Sequence, residues 1–356
     1  MTLSISQRTL TLALRDPFVI ARGSHGTGQA STTVIVELRS DRHPDLVGIG
    51  EGYPDRFYGE TPETMAAVLP LLAESLGEID QDLQTLEGAR VAIDHACAEA
   101  DLAIRNNGAA KCALSIALYD LAGKACGASA RELTDVSGES PPTDFTLGID
   151  EPAVVAERAR RASRFPALKV KVGGPSDMAT LEAVREVYQG PIRVDANTGW
   201  TRDGALALLP DLEELGVELI EQPFPARSLA DLRWLQERSS LPIVADESAV
   251  FIEDLDALEG VVAGVNVKLA KCGGIHAARD MLTAARERGF RTFLGCMEET
   301  SVGIAGSAIV APLADWVDLD GCLLLADDPY EGLVLGDDCR WKLPQGPGLG
   351  LRARAS

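Results

Sequence analysis

Lys169 and Lys171 stand two residues apart in Leu168-Lys169-Val170-Lys171-Val172-Gly173-Gly174 and open a recurring series of ionisable residues. Asp195, Glu221, Asp246 and Lys268 follow Lys171 at steps of 24, 26, 25 and 22 residues, and the Met297 to Glu299 stretch and the Asp318, Asp320 pair continue the series. Three carboxylates brought together would hold a hard divalent cation through oxygen ligands. One Mg²⁺ fits best, because it takes a few carboxylates and leaves positions for water or substrate. The plainer alternative is that these acids are solvated or paired with the lysines. Three in consecutive repeats favour the metal.

Two lysines on one strand, two residues apart, leave the same face within about 7 Å of each other. The charge of Lys169, reinforced by a cation, would depress the pKa of Lys171 and make it a general base. Lys268 belongs four repeats later and is expected nearly opposite in a closed ring. A substrate between Lys171 and Lys268 would meet an amine on each face of one carbon. One amine could remove a proton while the other returns one, inverting the centre. A carbon beside a carboxylate is a very weak acid, so its enediolate needs the cation's charge. Lys271 is expected to face elsewhere and is given no role.

Each step in the series is the length of a strand, a helix and two short loops, which is the rhythm of a barrel whose strand ends share one face. Apolar strand cores are expected at Ala167–Val172, Ile192–Val194, Leu219–Ile220, Ile243–Val244, Gly264–Val267, Thr292–Phe293 and Trp316–Leu319, with Phe145–Gly148 as the eighth. Continuous apolar runs fit strands buried on both faces. Upstream, Leu3 to Leu38 alternates in strand fashion around a glycine-rich loop at Ala21 to Gly28, and a strand is expected near Leu46–Glu51. Helices are expected at Pro62–Gly77 and Ala110–Cys126, the second amphipathic with Leu114, Ala117, Leu118 and Leu121 on its buried stripe. The fold class read from this is α/β, a (β/α)7β modified TIM barrel with an N-terminal α+β capping domain completed by the C-terminal tail. The expected boundaries are 1–125 for the capping domain with its lid loop, 126–325 for the barrel and 326–356 for the returning segment.

With 46% apolar and 24% charged residues, the 356-residue chain has a globular balance. Its formal charge of −21 argues against nucleic acid and anionic membrane as partners. No apolar run reaches 18 residues and Met1 to Arg22 holds no apolar h-region, so no membrane span or signal peptide is expected and a cytoplasmic setting is. Seven cysteines without a Cys-x-x-Cys pair suit a reducing compartment. None of the four histidines stands at an expected C-terminal strand end, which disfavours a zinc site and a serine hydrolase triad.

The motifs together resemble the enolase superfamily, in its muconate lactonizing enzyme subgroup and most closely its dipeptide epimerases. The likeness runs through Gly48-Ile-Gly50-Glu51-Gly52, Ala117-Leu-Tyr-Asp120, Lys169-Val-Lys171, Asp195-Ala-Asn197, Glu221-Gln-Pro223, Asp246-Glu-Ser248, Lys268 to Gly274 and Pro347 to Leu351. It implies Asp195, Glu221 and Asp246 as ligands of one Mg²⁺, Lys171 and Lys268 as paired acid/base catalysts, and Lys169 as the neighbour that lowers a pKa. Within the subgroup, Asp318-Leu319-Asp320 on the eighth strand implies recognition of a dipeptide's α-ammonium, which an N-acyl or cyclohexadienyl substrate lacks.

The lid residues Arg22 or His25 would then meet a glutamate side chain. Met297 and Glu298 line the same region, and strand alternation would turn Glu298 away while Met297 and Glu299 share a face. If Glu298 faces the pocket, it favours a basic or neutral side chain. The expected reaction is two-base 1,1-proton transfer at the C-terminal residue of L-Ala-L-Xaa dipeptides, Xaa being Glu, in the breakdown of murein peptides. Alternatives are an N-acylamino acid racemase, an o-succinylbenzoate synthase or a cycloisomerase of the same subgroup, and more remotely a Schiff-base aldolase or a non-catalytic barrel that binds a metal-chelated acid. A small dipeptide is the expected partner, and a homo-oligomer is compatible with the sequence.

Overall fold

The computed structural model describes residues 2–23, 28–77 and 83–354. The alternating N-terminal segment forms an antiparallel hairpin of β1 (Leu3–Ala13) and β2 (Ala30–Ser40), to which β3 (Val47–Gly52) adds on the far side. Helix α1 (Pro62–Ser75) starts where Thr61 and Thr64 exchange hydrogen bonds, each hydroxyl accepting the other's backbone N–H. Helix α2 (Leu86–Ala103) starts from Thr85, whose hydroxyl accepts the Gly88 N–H. Helix α3 (Gly108–Cys126) completes the unit.

The amphipathic reading of α3 is corrected by the fold. Every residue from Gly108 to Gly123 is buried, because the helix packs on β2 and β3, on α1 and α2, and on the barrel. Its alanines make that possible, and so do glycines opposite them. A Cβ at Gly48, Gly50 or Gly52 would collide with the carbonyls of Ala117, Ala113 and Ala109 respectively.

Eight parallel strands form the second unit: β4 (Phe145–Leu147), β5 (Leu168–Lys171), β6 (Ile192–Asp195), β7 (Val217–Glu221), β8 (Ile243–Ala245), β9 (Gly264–Lys268), β10 (Arg291–Gly295) and β11 (Trp316–Val317). Neighbours in sequence are neighbours in the sheet. Thr143 pairs in parallel with Val317, and the Asp144 N–H donates to the Val317 carbonyl at 3.0 Å, which brings the last strand round to the first. The connections carry α4 (Pro152–Arg161), α5 (Asp177–Val187), α6 (Arg202–Glu214), α7 (Leu229–Gln236), α8 (Asp254–Leu258), α9 (Leu269–Cys272), α10 (Ile275–Glu287), α11 (Ser301–Val310) and α12 (Gly321–Leu324). This is the modified TIM barrel with a separate N-terminal unit.

Strands β5, β6, β8 and β9 are buried throughout, as continuous apolar runs require. Three of them, β5, β6 and β9, extend to the ionisable residue at their C-terminal end. Strands β8 and β11 each stop one residue short, at Ala245 and Val317. The Leu319 N–H leaves the ladder and donates to the Thr143 hydroxyl at 2.8 Å. Past the barrel, the chain forms β12 (Tyr330–Glu331), β13 (Val334–Leu335), β14 (Trp341–Lys342) and β15 (Arg352–Ala353), in antiparallel pairs β12 with β15 and β13 with β14. Gly348 exchanges backbone hydrogen bonds with Ala128 and Ala130, and the Leu349 N–H donates to Asp120 on α3 at 2.8 Å. Among the described residues no helix is long and apolar enough to cross a membrane.

Candidate active site

Parallel register brings the ionisable residues to one level. Lys171 pairs with Asp195 across β5 and β6, and Asp195 with Glu221 across β6 and β7, while Asp246 follows β8 directly. Asp195, Glu221 and Asp246 are each at most 1% exposed. One oxygen from each lies within 4.8 Å of the others.

Such crowding needs a cation. Burial, then the charge of Asp195, pushes the Glu221 carboxyl up to about 7. Glu221 Oε2 is buried without a hydrogen-bond partner, while Oε1 accepts from Asn266 at 2.7 Å. An all-oxygen donor set with one uncommitted oxygen fits Mg²⁺. These three residues could hold it.

The lysines bracket this row. Lys171 Nζ lies 2.6 Å from Asp195 Oδ2 at one end, and Lys268 Nζ lies 2.9 Å from Asp246 Oδ2 at the other. Lys169 pairs with Asp318 and lies 3.5 Å from Glu221 and 4.0 Å from Asp195. Burial opposes the charge on Lys169, but Asp318, Glu221 and Asp195 together hold its pKa well above the ordinary lysine value. Burial likewise opposes protonation of Lys268, and Asp246 and Glu221 override it.

Lys271 corrects a second expectation. Its Nζ is buried and donates to Asp246 Oδ1 at 2.6 Å and to the carbonyls of Asp246, Ala249 and Asn266 at 2.7 to 2.9 Å. The residue points at Asp246 from the flank because Lys268 ends β9 and α9 begins at once, rotating position 271 back toward β8. Asn266 was also missed, although a signal existed. It stands two residues before Lys268 in an otherwise apolar strand, the spacing that marked Lys169 and Lys171.

Asp318 and Asp320 lie just past β11 and not on it. Thr146 holds both, its hydroxyl donating to Asp318 at 2.9 Å and its backbone N–H to Asp320 at 2.6 Å. Burial opposes ionisation of Asp318, but Lys169 keeps its carboxyl well below the usual range; burial and then the Asp318 charge push Asp320 well above it. Asp318 is thus held ionised by Lys169, while Asp320 beside it is biased toward its protonated form.

Arg22 stacks its guanidinium 4.1 Å from the Phe57 ring centre, pairs with Glu247 and donates to the Asn197 carbonyl at 3.3 Å. His25, the other lid candidate, lies outside the described residues. Beyond Gly295 the chain leaves β10, so strand alternation no longer governs it. Met297 and Glu298 both line the cavity, together with Arg22, Lys169, Lys171, Lys268, Asp318 and Asp320. Of the two orientations open to Glu298, the structure has the one that simple alternation would not give, with the residue on the cavity. Its carboxylate meets the Tyr53 hydroxyl, whose pKa burial and Glu298 raise. Glu299 instead turns to the buried Glu51, which accepts from the Thr300 hydroxyl at 2.5 Å and from the Gly303 N–H at 2.8 Å.

Comparison with known proteins agrees with this geometry. Residues 4–134 match the family model for the mandelate racemase / muconate lactonizing enzyme N-terminal domain, and residues 153–356 the enolase C-terminal domain-like model. The chain belongs to the mandelate racemase / muconate lactonizing enzyme family of the enolase superfamily. It is 36% identical to an L-Ala-D/L-Glu epimerase of Bacteroides thetaiotaomicron, over 96% of this chain and 85% of that protein. It is 35% identical to an L-Lys-D/L-Arg epimerase of Methylococcus capsulatus, over 98% of each. Among solved structures, a dipeptide epimerase from Enterococcus faecalis complexed with Mg and the dipeptide L-Leu-L-Tyr superposes with a TM-score of 0.87 at 31% identity, covering 99% of each chain.

Proposed function

We propose that this chain is a Mg²⁺-dependent dipeptide epimerase that inverts the α-carbon of the C-terminal residue of L-Ala-L-Xaa dipeptides. The observation that carries the reading is a lysine at each end of a row of three buried carboxylates, with both lysines and Asp246 lining one cavity. Asp195, Glu221 and Asp246 would hold one Mg²⁺, which when bound withdraws charge from a substrate carboxylate and acidifies the adjacent carbon.

Every other part of the reaction belongs to the chain's own side chains. Lys171 takes the α-proton from one face and Lys268 delivers one to the other; in the reverse direction the roles exchange. Lys169 places a fixed positive charge two residues from Lys171, among Asp318, Glu221 and Asp195. Asn266 orients Glu221, and Lys271 orients Asp246. Asp318 and Asp320 receive the α-ammonium, exchanging repulsion between two acids for attraction to a cation. Arg22 reaches a glutamate side chain once it leaves Glu247. Degradation of murein peptides in the cytoplasm is the setting that suits an L-Ala-D/L-Glu activity.

The test is incubation of L-Ala-L-Glu with enzyme and Mg²⁺ in D₂O, reading mass gain at the C-terminal α-carbon and the appearance of the L,D isomer. Absence of label across a panel of L,L-dipeptides would sink the assignment. One observation favours a second reading of the side chain: Glu298 faces the cavity and Arg22 is already paired with Glu247. A basic or neutral Xaa fits that arrangement. L-Ala-L-Lys run beside L-Ala-L-Glu separates the two.

A further inference from the structure

A second cavity of about 380 Å³ opens beside the catalytic one, on the other side of the lid stem. Arg15, Arg158, Arg161 and Arg164 line it against a single lining carboxylate, Asp16. Asp16 pairs with Arg161 at 2.9 Å and lies 3.8 Å from Arg158, which also reaches Asp150 at 2.7 Å. Arg15 and Arg164 have no carboxylate partner among the described residues. Arg15 donates through Nε to the Leu325 carbonyl at 2.7 Å, and Arg164 stacks 5.0 Å from the Phe165 ring centre. Arg158, whose side chain is 8% exposed, keeps a buried Nε without a hydrogen bond. Arg158 and Arg161 are balanced by Asp150 and Asp16, so Arg15 and Arg164, exposed at the rim, are the two guanidinium groups that face the hollow without a carboxylate among the described residues.

We propose that this hollow binds a small oxyanion-bearing molecule with a flat apolar body, separate from the dipeptide and distinct from the catalytic cavity. Guanidinium groups grip phosphate or carboxylate through paired N–H donors, which accounts for arginine at all four positions. Phe18, Phe145 and Phe165 supply the apolar wall, with the last two rings 4.9 Å apart. The two cavities share Phe18, Thr146 and Leu324 as common wall. Thr146 is the residue that holds Asp318 and Asp320, and Phe18 belongs to the lid stem. An occupant therefore presses on the parts assigned to the substrate ammonium and the lid, and it shifts KM for the dipeptide more than kcat.

Calorimetry with phenyl phosphate, benzoate and inorganic phosphate tests this, with and without Mg²⁺. The two aromatic anions distinguish a phosphate from a carboxylate occupant. One of them is expected to bind 1:1, at least tenfold more tightly than inorganic phosphate and independently of Mg²⁺. The double variant Arg15→Gln, Arg164→Gln should lose at least tenfold of that affinity with its melting temperature kept. Arg164→Lys, which retains charge without the fork, should fall between. No saturable binding, or binding indifferent to these arginines, overturns the site, and binding without a KM change overturns its link to catalysis. The binding measurement requires no substrate, so its failure is distinguishable from failure of the epimerase reading.

Discussion

Strand β5 and the β9–α9 segment each bring two lysines to the buried carboxylates, and the two sides hold them differently. On β5, Lys169 is hemmed by the carboxylates of Asp318, Glu221 and Asp195, while Lys171 touches Asp195 alone. On the β9 side, Lys271 is fixed by three carbonyls and Asp246, while Lys268 touches Asp246 alone. On both sides one lysine is anchored and one is held by a single contact. The anchors differ in kind: Lys169 is surrounded by charge and acts on its neighbours electrostatically, whereas Lys271 satisfies backbone and braces Asp246. The lightly held pair, Lys171 and Lys268, is the pair proposed to handle protons.

The sharpest way to break this comparison is to remove the lightly held lysines one at a time. Lys171→Ala and Lys268→Ala should each lower epimerisation by about 10³-fold or more, within the range of general acid–base contributions or beyond it. Deuterium uptake should survive in each variant for only one enantiomer of the C-terminal residue, and for opposite enantiomers in the two. Equal loss with both enantiomers would mean the lysines do not face opposite sides of the substrate.

Lys271→Met should act on stability instead. It strands Asp246 Oδ1 and three buried carbonyls, and chemical denaturation should show a loss of about 3–5 kcal/mol, as when one partner of a buried pair is removed. Lys169→Met likewise strands the buried carboxylate of Asp318 and removes a cation from beside Glu221 and Asp195, so denaturation should show a loss of the same order, about 3–5 kcal/mol.

A smaller effect sharpens the reading of the side-chain pocket. Glu298→Leu should shift kcat/KM for L-Ala-L-Glu relative to L-Ala-L-Lys by about tenfold toward glutamate, the worth of one charge contact near 1.4 kcal/mol. An unchanged ratio would place the Xaa side chain away from Glu298.

The smallest expected effect is a pH signature away from the chemistry. Burial, then Glu51, raises Glu299 to about 8 from an ordinary 4.5, so the folded chain holds a proton there that the unfolded chain releases. Its contribution to stability is fully present below about pH 4.5 and is lost as pH rises toward 8. Glu299→Gln should flatten the decline of melting temperature across that window relative to the parent chain. An identical slope in both would show that Glu299 does not titrate there.

The barrel was legible because its sequence carries two independent periodicities, apolar strand cores and the ionisable residues that end them. Strands such as β6 and β9 could be located within a residue or two on that basis. The capping helix α3 was legible as a helix but not as a fully enclosed one, since burial of its outer faces depends on partners distant in sequence: Gly48 to Gly52, and the barrel. The facing of Glu298 stayed open for a related reason. Alternation holds only while a chain stays in the sheet, and nothing local marks Gly295 as the last residue to do so. Lys271 was passed over because its role depends on how abruptly α9 turns after β9, a matter of backbone path and not of residue type.

One consequence follows from the glycine face of β3. Strand and helix meet there backbone to backbone from Ala109 to Leu121, and at the N-terminal end of the same helix Gly108 sits against the Lys271 carbonyl with equally little room. Helix α3 is thereby riveted to the sheet and the barrel at once. A side chain at any of these glycines would have to spread that seam before it could fit.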